Sequence, residues 1–326
     1  MPARFDHVLL TGATGFVGRH LHPVLLREGY SVRGASRDPD AAELRFPGRQ
    51  FVRLDLADRA SIADALAGCD AAIYLVHTMA GGADDYEAAE LRMAADFLAE
   101  AERAGIRRIV YLGGIRPTGG HVSKHLRSRL ATGEMLRSGS ISTIELQASM
   151  IIGRGSESWR IVRDLAMRLP IMVLPRWLES RTEPIAIADV TFALTRALEL
   201  EEPGSVVESL PGPEVLSGRE MLERVAALRD MKPRIIEIPL LTPRLSSYWI
   251  RLVTRADRRI ATELVEGLTG DLLAPDRGFW RRFPEHERIG FDEAAELALV
   301  EEQRELSVLA RLSERAIRTL ARPAHR

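Results

Sequence analysis

Cysteine is nearly absent: Cys69 stands alone in 326 residues. That excludes an intramolecular disulfide and any cysteine-built metal site, and it fits a reducing compartment. Lysine is almost as scarce, with only Lys124 and Lys232, so arginine carries the positive charge. Neither sign dominates, because 45 Lys and Arg face 46 Asp and Glu for a formal net charge of -1. Such a chain has no overall field for nucleic acid or for anionic membrane. No apolar stretch approaches the ~20 residues needed to span a bilayer, and no repeat or low-complexity tract is present. The chain enters its first strand within a few residues without an apolar leader, so a cytoplasmic protein is expected. What remains is ordinary globular composition, 46% hydrophobic and 28% charged, enough for one large domain or two unequal ones.

Against these absences stands one dense motif. Val8-Leu9-Leu10 reads as a buried strand; Thr11-Gly12-Ala13-Thr14-Gly15-Phe16-Val17-Gly18 follows; Phe16, Val17, Leu21, Val24 and Leu25 then recur at helical spacing. Glycines at a strand-to-helix junction allow a tight turn, close approach of backbone amides to a pyrophosphate, and close packing of helix on strand. The helix N-terminus then faces the anion. The spacing is Gly-x-x-Gly-x-x-Gly rather than Gly-x-Gly-x-x-Gly, and this wording resembles the extended and atypical branches of the short-chain dehydrogenase/reductase superfamily.

Apolar runs near 7–11, 31–36, 50–54, 71–76, 107–112 and 141–147 alternate with helical patterns near 16–28, 58–67, 84–104, 123–138 and 156–169. The alternation predicts an α/β fold, a Rossmann-type doubly wound parallel sheet, with a smaller, mostly helical C-terminal substrate region. Residues 1–152 form the expected NAD(P)-binding core. Residues 153–326 form substrate-region segments interleaved with core returns near 183–200 and 205–238.

Strand two ends at Ser36-Arg37-Asp38, where an NAD enzyme usually places a carboxylate for the ribose 2′-hydroxyl. A guanidinium at Arg37 pairs with a 2′-phosphate, so NADPH is favoured over NADH. Asp38 as a helix cap keeps NAD open. Asp55-Leu56 resembles the superfamily's adenine-contacting pair, with a helix-capping role for Asp55 as the alternative. His77, just past strand four, lies where superfamily members line the cofactor with small residues.

Active members usually carry Tyr-x-x-x-Lys on the helix after strand five, and here both lysines lack the tyrosine: Gly120 and Leu228 stand four residues before them. At the matching place the resemblance sets His125 against the tyrosine and Arg129 against the lysine, and Tyr111-Leu112-Gly113-Gly114 lacks the superfamily serine. Helical i, i+4 spacing puts His125 and Arg129 on one face. His125 is the candidate proton donor, and Arg129 can hold a ribose but cannot release its proton. The alternative is a pair of surface residues beside a vestigial site. No metal site is expected.

Together with Tyr74-Leu75-Val76-His77, these motifs are similar to the atypical, NmrA-like NAD(P)H-binding branch. The resemblance implies an oxidoreductase passing hydride to an apolar carbonyl, enone or quinone, or a non-catalytic NADP(H)-binding redox sensor. Sugar-nucleotide epimerisation or dehydration is weakened by the missing tyrosine. The loop 113–121 is a candidate lid. Trp159, Met167, Ile171, Met172, Trp177, Tyr248 and Trp249 suggest an apolar substrate, and Arg251, Arg255, Arg258 and Arg259 a minor route to a membrane surface. The expected assembly is a monomer or homodimer.

Overall fold

A computed structural model describes residues 5–77, 86–118, 122–168, 171–174, 176–231, 234–237 and 270–305. The first half alternates strands His7–Leu10 (β1), Ser31–Ser36 (β2), Phe51–Arg53 (β3), Ala71–Tyr74 (β4), Arg108–Gly114 (β5) and Ser142–Ala148 (β6) with helices Phe16–Arg27 (α1), Pro39–Arg45 (α2), Arg59–Leu66 (α3), Tyr86–Arg103 (α4) and Lys124–Arg137 (α5). Beyond them lie Ile151–Ile152 (β7), Glu157–Arg168 (α6), Ile171–Leu174 (β8), Arg181–Thr182 (β9), Ile185–Ala186 (β10), Ile187–Glu199 (α7), Val206–Ser209 (β11), Leu216–Ser217 (β12), Gly218–Ala227 (α8), Arg234–Glu237 (β13), Gly278–Arg281 (α9) and Phe291–Glu305 (α10).

Seven strands form one sheet in the order β11-β6-β5-β4-β1-β2-β3, every pairing parallel. The middle strands β4 and β5 are buried along their whole length, because helices cover both faces. Period-two alternation divides their side chains. Leu10, Ile73, Val110 and Leu112 pack with Leu21, Leu25, Val190 and Leu194 of α1 and α7. Leu9, Ala72, Ile109 and Tyr111 pack on the other face with Ile62, Phe97 and Leu136 of α3, α4 and α5. A third apolar cluster joins α6, α8 and α10 through Trp159, Leu165, Leu222, Val225 and Leu299. Trp159 and Met167, read from sequence as pocket surface, are buried in that cluster.

The chain leaves β1 in one lateral direction for β2 and β3 and in the other for β4 and β5, so the switch point opens at the carboxyl ends of β1 and β4. Thr11 closes the sheet just beneath it. Its backbone amide and hydroxyl donate to the Ile73 carbonyl at 3.0 and 3.2 Å, and the Leu75 amide donates to the hydroxyl at 2.9 Å. Within α1, Pro23 has no N–H for the Arg19 carbonyl. The Arg49 guanidinium, from the connection before β3, donates to that carbonyl at 3.1 Å.

The segment after residue 270 returns to the sheet's carboxyl end. The Thr118 amide donates to the Asp271 carbonyl at 2.8 Å, and the Asp271 carboxylate receives the Arg181 amide at 2.8 Å and its guanidinium at 2.9 Å. Buried Glu183 accepts from the Ala274 amide at 2.6 Å and from Arg277 at 3.0 Å. The loop expected as a lid is therefore tied at Thr118. Gly119, Gly120 and His121 of that loop lie outside the described residues, as do Tyr248, Trp249, Arg251, Arg255, Arg258 and Arg259 and the side chains of Ile171, Met172 and Trp177.

Candidate functional site

The glycine turn meets three different demands. Gly12 has φ +61°, a conformation that favours glycine. A Cβ on Gly18 would lie 2.2 Å from the Gly12 carbonyl oxygen and 2.7 Å from the Ala13 Cα, so helix and turn can touch only through glycine. Gly15 is exposed, its φ is -73°, and a Cβ there would meet a single protein atom, at 3.1 Å. The protein's own packing asks little of Gly15; the space above it suits a ligand. Side chains of Asp38, Asp58, Ser123 and Ser217 cap α2, α3, α5 and α8, whereas no side chain caps α1. Its first-turn amides, beginning at Phe16 and Val17, are left for an anion. Thr14 is half-buried in the same turn. Thr11, expected among the cofactor contacts, is fully buried and spends its hydroxyl on β4, so it supports the turn from below.

One rim is closed by chain far away in sequence. Arg19 donates to the Arg154 carbonyl, and Gly155, at φ +90°, leaves room for that guanidinium. A Cβ on Gly153 would lie 2.6 Å from Ile187 and 3.3 Å from the Phe16 ring. Sequence reading missed this clamp, for which the Gly153-Arg154-Gly155 triplet was the available signal.

At the end of β2 Asp38 does cap α2, its carboxylate accepting from the Ala41 amide at 3.0 Å. The Ser36 hydroxyl donates to the Asp38 carbonyl at 2.9 Å, which fixes the turn that presents Arg37. Arg37 is exposed and has no hydrogen bond or ion pair among the described residues. The capping alternative for Asp55 is corrected: Asp58 caps α3, and among the described residues the Asp55 carboxylate accepts only from the Ala57 amide, at 3.1 Å. Leu56 is buried with Leu54 and Ile62, so its side chain belongs to the core.

At the other end of the switch point His77, His125 and Arg129 come together. The two imidazole centroids are 6.4 Å apart, nearly perpendicular, and His77 also meets the Tyr111 ring edge-on at 5.8 Å. Arg129 donates through Nη2 to the Leu112 and Gly113 carbonyls at 2.8 and 3.1 Å, while the Tyr111 hydroxyl donates to the Arg129 carbonyl at 2.8 Å. Burial, and then the Arg129 charge, pull the His125 pKa down to about 3. The same causes in the same order, with His125 added, hold His77 well below the ordinary histidine value. Both imidazoles are neutral near pH 7. A neutral His125 ring can offer a hydrogen bond to an acceptor. The Nδ1 of His77 is buried without a hydrogen-bond partner among the described residues. Tyr111 and, behind it, the Ser128–Glu90 hydrogen bond between α5 and α4 were not anticipated from sequence.

Among the described residues no group of His, Cys, Asp and Glu could hold a metal ion, and no helix is long and apolar enough to cross a membrane. Residues 12–163 match the model of an NAD(P)H-binding family. The dihydroflavonol 4-reductase of Hordeum vulgare is 31% identical over 118 residues, covering 32% of this chain and 33% of that protein. This chain thus aligns with about a third of the length of that plant reductase. The ceramide reductase of Caulobacter vibrioides is 26% identical over 239 residues, 71% of this chain and 73% of its own. Among solved structures, an NADPH-dependent quinone oxidoreductase from Escherichia coli complexed with NADPH has the same fold, with a TM-score of 0.70 at 16% identity over 89% of this chain and 98% of that one.

Proposed function

We propose that the chain is a member of the atypical short-chain dehydrogenase/reductase superfamily and an NADPH-preferring oxidoreductase acting on an apolar quinone or conjugated carbonyl, a reading supported by the NAD(P)H-binding match over residues 12–163 and by the shared fold. The observation that carries this reading is the pair of neutral imidazoles, His77 and His125, held beside Arg129 at the carboxyl end of β5. The site fits a dinucleotide: Gly15 leaves open space, no side chain caps the α1 amides, and the buried Nδ1 of His77 has no partner among the described residues. Gly12, Gly15, Gly18 and the Phe16 and Val17 amides hold the pyrophosphate, Arg37 the 2′-phosphate, and Asp55 the adenine. The reduced nicotinamide supplies the hydride when bound.

The chain's own residues then decide which acceptor is served. A neutral imidazole N–H polarises an acceptor oxygen by hydrogen bonding but does not deliver an imidazolium proton at pH 7. Arg129 adds a fixed positive charge near the developing anion. A quinone suits this arrangement, because after accepting hydride it is a hydroquinone monoanion that takes its proton later from water. A simple ketone becomes an alkoxide and needs the proton in the same step.

A second reading, a non-catalytic NADP(H)-binding sensor, is favoured by one observation: Arg129, at the place of the superfamily's ribose-holding lysine, is already bonded to two strand carbonyls. Fluorescence titration with NADPH and NADH, followed by NADPH oxidation against a quinone panel, separates the readings. Steady turnover supports the reductase, and tight binding without turnover supports the sensor. Failure to bind either nucleotide removes both.

A further inference from the structure

At the carboxyl end of β3, one strand beyond the turn that presents Arg37, Arg53 is a second exposed guanidinium with no hydrogen bond or ion pair among the described residues. The parallel register pairs Ser36 with Arg53, and neighbouring strands lie about 4.8 Å apart. Two residues earlier the register pairs Gly34 with Phe51. A Cβ on Gly34 would lie 2.9 Å from the Phe51 ring, which stacks on His22 of α1 at 6.3 Å between centroids. Side chains repeat every second residue along a strand. Arg53 therefore projects on the α1 side of the sheet, the side where the glycine turn holds the pyrophosphate, and flanks the Ser36-Arg37 turn.

Arg45 and Arg49 lie over the Phe46 ring at 5.2 and 4.8 Å, and Arg49 also serves the Arg19 carbonyl. The Asp38 carboxylate is the cap of α2. Two unpaired guanidinium groups at adjacent strand ends repel one another, and a dianion set between them relieves the repulsion and gains charge-assisted hydrogen bonds. A dinucleotide running from the glycine turn across β2 to Asp55 brings its ribose 2′ position over this pair of strand ends.

We propose that Arg37 and Arg53 form a two-arginine clamp on the 2′-phosphate of NADPH, with Arg53 a specificity-determining residue; this deepens, and rests on, the reading of Arg37 above. The clamp reads the phosphate and leaves the rest of the nucleotide to the turn and Asp55. Loss of Arg53 is thus felt by phosphorylated ligands alone.

The test measures dissociation constants of NADPH, NADH, adenosine 2′,5′-bisphosphate and adenosine 5′-monophosphate for the wild-type chain and for Arg53→Ala, Arg53→Lys and Arg37→Ala. Arg53→Ala is expected to weaken NADPH and the bisphosphate about five- to tenfold, to leave NADH and the monophosphate within about twofold, and to flatten the salt dependence of NADPH binding. Arg53→Lys recovers part of the loss. Equal weakening of phosphorylated and unphosphorylated ligands, or no weakening, overturns the assignment. If the wild-type chain does not prefer NADPH, the reading of Arg37 fails and the clamp falls with it. If it does, and only Arg37→Ala abolishes the preference, the role of Arg53 alone is refuted. An unchanged melting temperature in Arg53→Ala, expected of an exposed side chain, keeps folding out of the comparison.

Discussion

The two ends of the switch point are built from different materials. The end proposed for the phosphates is backbone: three glycines, the uncapped amides of α1 and an open space over Gly15. The end proposed for the nicotinamide is side chain: two imidazoles and a guanidinium already engaged with strand carbonyls. Backbone geometry is imposed locally, so its purpose is constrained by the residues themselves. Side chains acquire their chemistry from burial and neighbours, and the same His and Arg can be an acid, a hydrogen-bond donor or a brace.

Substitutions can break this contrast, beginning with the largest effect. In Gly18→Ala the added carbon meets backbone atoms that cannot swing aside. A loss of about 3 kcal/mol in chemical denaturation is expected, with NADPH affinity reduced on the order of a hundredfold. Gly15→Ala should stay within about 0.5 kcal/mol of wild type in stability, while losing roughly tenfold in affinity. Equal destabilisation by the two would show that the open space serves packing rather than a ligand.

The histidines of the two ends respond to acid in a way that can be measured. His22 of α1 is 1% exposed, and burial first, then Arg49, lowers its pKa to about 4. The unfolded chain, with an ordinary histidine near 6.5, therefore takes up a proton before the native state does. Native stability falls as pH drops from about 6.5 towards 4, by roughly 3 kcal/mol in total. Urea midpoints at pH 7 and pH 4.5 should show a smaller difference in His22→Leu than in wild type. For His125, His125→Phe should lower the quinone-reductase kcat about tenfold with the KM for NADPH within about twofold. The wild-type rate should carry no histidine titration between pH 5 and 8, because the His125 pKa is about 3. An inflection near pH 6.5 that disappears in the variant would overturn the neutral-imidazole reading of His125. The smallest effect belongs to Arg129→Lys. An ammonium retains one of the two carbonyl contacts at Leu112 and Gly113 and costs about 1 kcal/mol in thermal or urea denaturation.

The same contrast explains what could be read from the sequence. The strands near 31–36 and 71–76, the helices near 16–28 and 123–138 and the glycine turn were legible because period, apolar runs and turn residues are local signals. His125 and Arg129 were legible as an i, i+4 pair on one helix. That His77 would meet His125, that Asp58 rather than Asp55 would cap α3, and that Arg129 would be bonded to β5 all depend on tertiary placement. The tie between Thr118 and Asp271 spans 153 residues along the chain, and no window of local pattern contains both partners. Leu56, named by a motif match, has its side chain buried in the core with Leu54 and Ile62.

The proline in α1 has a consequence for how the molecule is assembled. A helix normally completes its ladder from its own residues, but here the rung at Arg19 is contributed from thirty residues downstream by Arg49. During synthesis the first helix can therefore coil early yet reach its final bonding only once the chain has passed β2 and included Arg49. Arg19 in turn grips the Arg154 carbonyl, so one residue of α1 is held both by the β2–β3 connection and by the chain beyond β6. The glycine turn is thus held by contacts from later in the chain, and a ribosome-bound fragment ending before Arg49 would carry the whole glycine motif without the contact that completes its helix.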